Sequence, residues 1–119
     1  VNRVQLIGNL GADPVMKQGP NGPIAFFSVA TKEQWTDRQS GQPKEDVQWH
    51  QIAVFEPKLA EFARDNLRKG AFVRLEGSIR NQKYQDNSGN DRFSSQVVVS
   101  GPQAVLKLQE RQQSQGRGR

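Results

Sequence analysis

The 119-residue chain is long enough for one compact domain and too short for two ordinary ones, and with 34% hydrophobic residues part of its length must be polar loop or tail. It has no cysteine and one histidine, His50, which excludes disulfide scaffolds, thiol catalysis and cysteine- or histidine-rich metal sites, and no apolar run approaches the roughly 20 residues of a membrane-spanning helix. The formal charge is +5, a bias that nucleic-acid partners favour and that solubility alone also explains; four of the 17 cations and one of the 12 acids lie between Lys107 and Arg119, so residues 1–106 carry only +2.

The first residue is Val1, which suits a trimmed or processed chain. Residues 3–10 place Val4, Leu6 and Leu10 on one face with Gly8 between them, the pattern of a strand with a glycine where a sheet bends. Asp13-Pro14 and Gly19-Pro20-Asn21-Gly22-Pro23 are turn chemistry, and Val15 to Gln18 between them reads as a short edge strand. Ile24 to Lys32 is apolar on both parities until its polar end, which predicts a strand covered on most of both faces. Residues 36–46 hold no apolar member and predict a long flexible loop.

Residues 47–55 and 71–80 are the next predicted strands, joined by a helix of about three turns. Pro57 suits its first turn, Leu59, Phe62, Ala63 and Leu67 fall at helical spacing, and Lys69-Gly70 supplies a basic end and a stop. A polar excursion, 81–92, turns at Asn87-Ser88-Gly89-Asn90, with flanks able to pair as a projecting hairpin, and leads into a last strand from Phe93 to Ser100. Residues 1–108 then form the folded domain and 109–119 a flexible Gln/Arg/Gly tail. Five strands with one helix between the third and fourth is the order of an all-β, five-stranded Greek-key barrel of the oligonucleotide-binding kind, the OB-fold; a half-open sheet with a covering helix gives a similar order.

Strand 47–55 is the most informative stretch. Ile52 and Val54 form a core-facing pair, which leaves Trp49 and Phe55 on the other face, about 20 Å apart along the strand, with Gln51 and Ala53 between them. Exposed rings among polar neighbours form a stacking platform for nucleobases. The alternative buries both rings and exposes the opposite parity; the need to bury Ile52 and Val54 favours the platform. Trp35 enters the polar loop and Tyr84 lies beside Lys83 in the excursion, each placed either to stack a base or to anchor the barrel. The cations within reach of such a surface are Arg3, Lys32, Arg38, Lys58, Arg68, Lys69, Arg74, Arg80, Lys83 and Arg92; Arg74 and Arg80 lead, because they share one strand face with Glu76 and Ser78 and lie beside the aromatic strand if strands 47–55 and 71–80 pair. Phe26, Phe27, Phe62, Phe72 and Phe93 are assigned to packing. No catalytic constellation is present: the 19–23 turn lacks the Lys-Ser/Thr of a phosphate-cradling loop, and Asp37, Glu45 and Asp46 read as solvated loop acids. No cofactor or metal is implied. A barrel-fold nuclease and a binder of structured RNA or tRNA are the rival readings.

VNRVQLIGNLGADP, FFSVATKEQW, WHQIAVF, LRKGAFVRLEGSIR and KYQDNSGNDR, in this order and spacing, resemble the single-stranded DNA-binding proteins of bacteria and mitochondria, over about residues 1–108. The resemblance implies a non-enzymatic homotetramer that wraps single-stranded DNA in replication, recombination and repair, with replication and repair proteins as further partners and no membrane. The family's stacking positions fall on Trp35, Trp49, Phe55 and Tyr84, the last usually tryptophan in bacterial members. His50 matches a histidine used near the subunit interface, and Gln51 stands where an arginine is common. Bacterial members usually finish in a glycine-rich linker and an acidic tip, whereas this sequence finishes QGRGR. That ending, the start at Val1 and Glu56-Pro57-Lys58 resemble the mitochondrial pattern, implying a matrix nucleoid, with the bacterial cytoplasm as the alternative.

Overall fold

The computed structural model describes residues 1–109; the tail expected at 109–119 lies outside them except for Gln109, whose N–H donates to the Phe72 carbonyl at 2.8 Å. The elements are β1 (Val4–Leu10), β2 (Val15–Gly19), β3 (Gly22–Thr36), β4 (Pro43–Val54), α1 (Pro57–Asn66), β5 (Phe72–Gln85), β6 (Asp91–Val99) and β7 (Val105–Leu108).

Five of the strands close a barrel in the order β1-β3-β4-β6-β5, with β5 returning to β1. β5 pairs with β1 from Val4–Gly77 to Asn9–Phe72, and β1 meets β3 through Asn9–Ala30 and Leu10–Val29. The seam between β4 and β6 is parallel and short, running from Ile52–Val97 to Val54–Val99. The Phe55 N–H extends it by donating to the Val99 carbonyl at 2.9 Å. This is the five-stranded barrel expected from the element order, with the helix between its third and fourth strands. β2 adds to the outer edge of β3 through the tight Gly19–Gly22 turn, and β7, which the sequence reading lacked, adds to β5.

Alternation along the strands fills the interior. Phe27 and Val29, Ile52 and Val54, Val73 and Leu75, and Val97 and Val99 all point inward and are buried, with Leu10 and Leu106 closing the set. Ala60 and Ala63 of α1 and Leu67 at its C-cap form a buried stripe, and the helix packs on β3 and β4. Pro57 starts it and Glu56 caps it, its carboxylate accepting from the Lys58 N–H at 3.4 Å. At the other end the Arg68 guanidinium donates to the carbonyls of Arg64 and Leu67, satisfying groups a helix end leaves open. The Lys69 N–H donates to Asp13 in the β1–β2 turn at 2.7 Å, and Asn9 of β1 donates to the Gly70 carbonyl at 3.0 Å, which ties down the helix exit.

Three sequence expectations are corrected. Residues 36–46 are not a long flexible loop: the β3–β4 ladder continues to Thr36–Pro43, leaving 37–42 as a turn in which the Asp37 N–H donates to the Gln42 carbonyl at 2.9 Å. The ribbon runs beyond the barrel, so both faces meet solvent and neither needs an apolar stripe. β5 and β6 pair out to Gln85–Asp91, which is the projecting hairpin expected at 81–92 and forms the second arm. Phe93, assigned to packing, lies on that arm opposite Lys83 and is 73% exposed, because its inward parity points past the end of the barrel. Strands 47–55 and 71–80 do not pair directly; β6 lies between them.

Gly8 and Gly77 sit where strands cross most closely. A Cβ on Gly77 would overlap the Val98 carbonyl oxygen, and one on Gly8 the Ala30 carbonyl oxygen. Gly77→Ala is therefore expected to push β5 from β6 and lower stability by about 1–3 kcal/mol, the usual range for overpacking, read as a lower urea midpoint at an unchanged slope. An unchanged midpoint would show that the crossing has slack.

Candidate nucleic-acid interface

Paired residues in a sheet share a face, so the registers sort the side chains into outer and inner sets. On the outside, Phe26, Ser28, Ala30 and Lys32 of β3 stand beside Ala53, Gln51, Trp49 and Val47 of β4. Across the parallel seam Val98 is level with Ala53, and Val98, Gln96 and Arg92 of β6 stand beside Ser78, Arg80 and Tyr84 of β5. Trp49, Phe55 and Tyr84 consequently rise from one continuous surface, exposed by 58%, 42% and 52%. Trp35, 52% exposed, pairs with Lys44 and shares the parity of Thr31–Gln48 and Val29–His50. It stands on the opposite face of the β3–β4 ribbon from Trp49.

Supports that the sequence reading missed hold the rings in place. A Cβ on Gly11 would come within 2.6 Å of the Trp49 ring and 3.0 Å of the Ser28 hydroxyl, so the absent side chain is what lets the indole lie down over this backbone. The Gly11 N–H in turn donates to the Ser28 carbonyl at 3.1 Å. Phe26 presses edge-on against Phe55, centroids 6.5 Å apart at 77°, and the Lys17 ammonium sits 5.6 Å over the Phe26 ring. Alternation across the β2–β3 hairpin, with Lys17 opposite Ile24, is the signal that would have placed Lys17 there.

Tyr84 depends on the turn of its arm. The Asp86 carboxylate accepts from the N–H groups of Ser88 at 2.9 Å and Asn90 at 3.0 Å, and from Arg92 Nε at 2.9 Å. These bonds, Arg92's first and then the backbone donors, hold the Asp86 carboxyl below the usual aspartate range. Lys83 pairs with Asp91 across the same arm at 3.3 Å.

The ten candidate cations divide by what already occupies them. Arg3 and Arg74 both bond Glu76, at 2.8 and 3.0 Å, on the β1–β5 side of the barrel where Ile7 faces Arg74. The Arg3 bond foremost, then both guanidinium charges, hold the Glu76 carboxyl below its ordinary value. Arg68 closes the helix, while Lys83 and Arg92 are engaged within their arm. Lys32, Arg38, Lys58, Lys69 and Arg80 make no ion pair among the described residues. Of these, Lys32 and Arg80 lie on the aromatic surface itself. Its chemistry is that of planar stacking partners beside uncommitted cations.

His50 is half-buried on the inner parity, with Nε2 2.9 Å from the Thr31 hydroxyl. Asp37 is tied to Ser40 and its carboxyl lies below the aspartate range, chiefly through the Ser40 hydroxyl. Glu45 bonds Gln34, and Asp46 bonds Gln48. Among the described residues no group of three or more His, Asp or Glu converges as a metal site, and no helix is long and apolar enough to cross a membrane.

The model of the single-strand binding protein family matches residues 1–106. A "Single-stranded DNA-binding protein" of Rhizobium meliloti (strain 1021) is 40% identical over 119 residues, covering 99% of this chain and 68% of that protein. A solved Plasmodium falciparum SSB in complex with ssDNA aligns with a TM-score of 0.85 at 30% identity, over 92% of this chain and 96% of that one.

Because the Asp86 carboxyl is more acidic in the folded arm than in the unfolded chain, its contribution is complete at neutral pH and is lost as pH falls below about 4. Amide exchange over 81–92 should accelerate in that window, normalised for the intrinsic rate, before it does in the core strands. Asp86→Ala should reproduce the effect at pH 7, and unaltered exchange in that variant would show that the turn does not rest on the carboxylate.

Proposed function

The chain belongs to the single-strand binding protein family, and on that premise we propose that it binds and protects single-stranded DNA, without marked sequence preference, during replication, recombination and repair. The family is one of DNA-binding proteins and not of enzymes. The observation that carries the reading is the single outer surface bearing Trp49, Phe55 and Tyr84 with Lys32 and Arg80 among them. Every base has a π-face, so rings of this kind accept any sequence, while cations without an acidic partner are available to phosphates. Trp35 extends the stacking set to the other face of the ribbon. Arg38, Lys58 and Lys69 supply flanking phosphate contacts; Lys83 and Arg92 contribute from the arm, and Arg3, Arg68 and Arg74 contribute least because each already has a protein partner.

The proposed assembly is a homotetramer with His50 near a subunit interface. Support comes from apolar side chains left exposed away from the aromatic surface, Ile7 and Phe93, which a monomer would leave wet. Replication and repair proteins are the proposed further partners. As to location, the 40% identity to a bacterial protein supports the bacterial cytoplasm; Glu56-Pro57-Lys58 is the remaining support for a mitochondrial nucleoid.

Addition of poly(dT) at low salt should quench the fluorescence of Trp35 and Trp49, and duplex DNA should not reproduce it. Absence of quenching would overturn the proposal. Trp49→Ala should weaken binding by about 1–3 kcal/mol, the value of one base–aromatic stack. Lys32→Ala should reduce the slope of log affinity against log salt by about 0.7, as expected for one phosphate contact on a single strand. Sedimentation at micromolar concentration should give four times the 13.4 kDa chain mass, and a monomer would contradict the assembly.

A further inference from the structure

Between the two rings of β4 the outer surface is neither apolar nor acidic. Gln96 lies directly opposite Arg80 in the β5–β6 ladder and one residue before the Ile52–Val97 pair of the seam, as Gln51 does on β4. Gln51, Gln96 and Arg80 therefore form a row across three strands. Two cavities meet at Gln96. The larger, about 400 Å³, has Phe55 as one wall and Arg80, Gln82 and Gln96 among its polar groups; the smaller, about 160 Å³, opens between β4 and β6 beyond the seam, with Trp49, Gln51 and Gln96 on its outer side and His50 and Ile79 on its inner side. The larger is within the size range of small-ligand pockets, about 300–1,000 Å³. Neither cavity is lined by a carboxylate, and Arg80 makes no ion pair among the described residues.

The donor inventory of this row is lopsided. A guanidinium offers five N–H donors and no acceptor, and each amide offers two donors with one acceptor oxygen. A base stacked on Phe55 presents its edge to these groups. Carbonyl oxygens, O4 of thymine or uracil and O6 of guanine, find donors; the exocyclic amine of cytosine or adenine meets the guanidinium donor to donor. We propose that the groove between Phe55 and Trp49, centred on Gln96 and Arg80, takes a nucleobase by its keto edge and favours keto over amino bases at that one position. The inference rests on the proposed single-strand binding. It is compatible with sequence-tolerant binding overall, since a long strand averages one discriminating position over many that only stack.

Uracil and cytosine differ at the edge in question and neither carries a methyl group, so (dU) and (dC) oligomers of equal length, titrated at pH 8 and equal salt, isolate the effect. The full chain should bind the dU oligomer at least about fivefold more tightly, the lower end of what one good side-chain pair to a base edge provides. Gln96→Glu replaces a donor with an acceptor at nearly constant shape and should invert the ratio in favour of dC, whatever the added charge does to both affinities. Gln96→Met, which keeps the length without a polar atom, should bring the ratio toward one. Equal affinities in the unaltered chain, or a ratio that Gln96→Glu leaves unchanged, would overturn the keto-edge assignment while leaving single-strand binding intact. Failure to bind either oligomer would overturn the proposed function and the inference with it.

Discussion

Three parallel pairs between β4 and β6 set the geometry on which the rest depends. Every other junction of the barrel is antiparallel; those of β1 with β5, β3 with β4 and β5 with β6 have longer registers, and β1 meets β3 through two pairs only. The β4–β6 seam joins two halves of the chain that are remote in sequence, at the end of a long path that includes the helix. Its register also fixes parity: a slip of one residue would turn either Ile52 and Val54 or Val97 and Val99 out of the core. The same slip would separate the face carrying Trp49 and Phe55 from the face carrying Tyr84. Burial of four branched side chains and alignment of three rings are thus consequences of a single register.

Much of this was legible in the sequence where one face had to be buried. In β4 the pair Ile52 and Val54 forces its neighbours outward, so the exposure of Trp49 and Phe55 follows from period two alone. The helix declared itself through Pro57, the Leu59–Leu67 stripe and Gly70. The arms carried no hydrophobic signal: that of β5 and β6 was legible only through its Asn87-Ser88-Gly89-Asn90 turn, and that of β3 and β4 was read as a loop. With solvent on both faces, their strands are held by backbone ladders and by turns such as that of Asp86, and a backbone ladder leaves no hydrophobic pattern. Phe93 misled for the complementary reason: its parity is that of the core, but the barrel ends before it. Gly11 beneath the Trp49 ring was invisible because its significance lies in a contact between residues 38 positions apart in the chain.

The charges follow a similar division. Counting cations in the sequence says nothing of which are already committed, and the structure spends Arg3 and Arg74 on Glu76 and Arg68 on two helix carbonyls. What remains uncommitted beside the rings is Lys32 and Arg80, so the electrostatic character of the outer surface depends on their local isolation from acids more than on the net charge of the chain.

The β3–β4 ribbon carries Trp35 on one face and Trp49 on the other. A polymer that engages both indoles of one chain cannot lie straight along either face; it must cross the ribbon's edge or tip and reverse direction in doing so. Engagement of both rings would therefore shorten the distance between the ends of the bound segment, and the tension applied to a strand would compete directly with its second contact. Mechanical load, and not concentration alone, would then decide how many of the chain's rings are occupied.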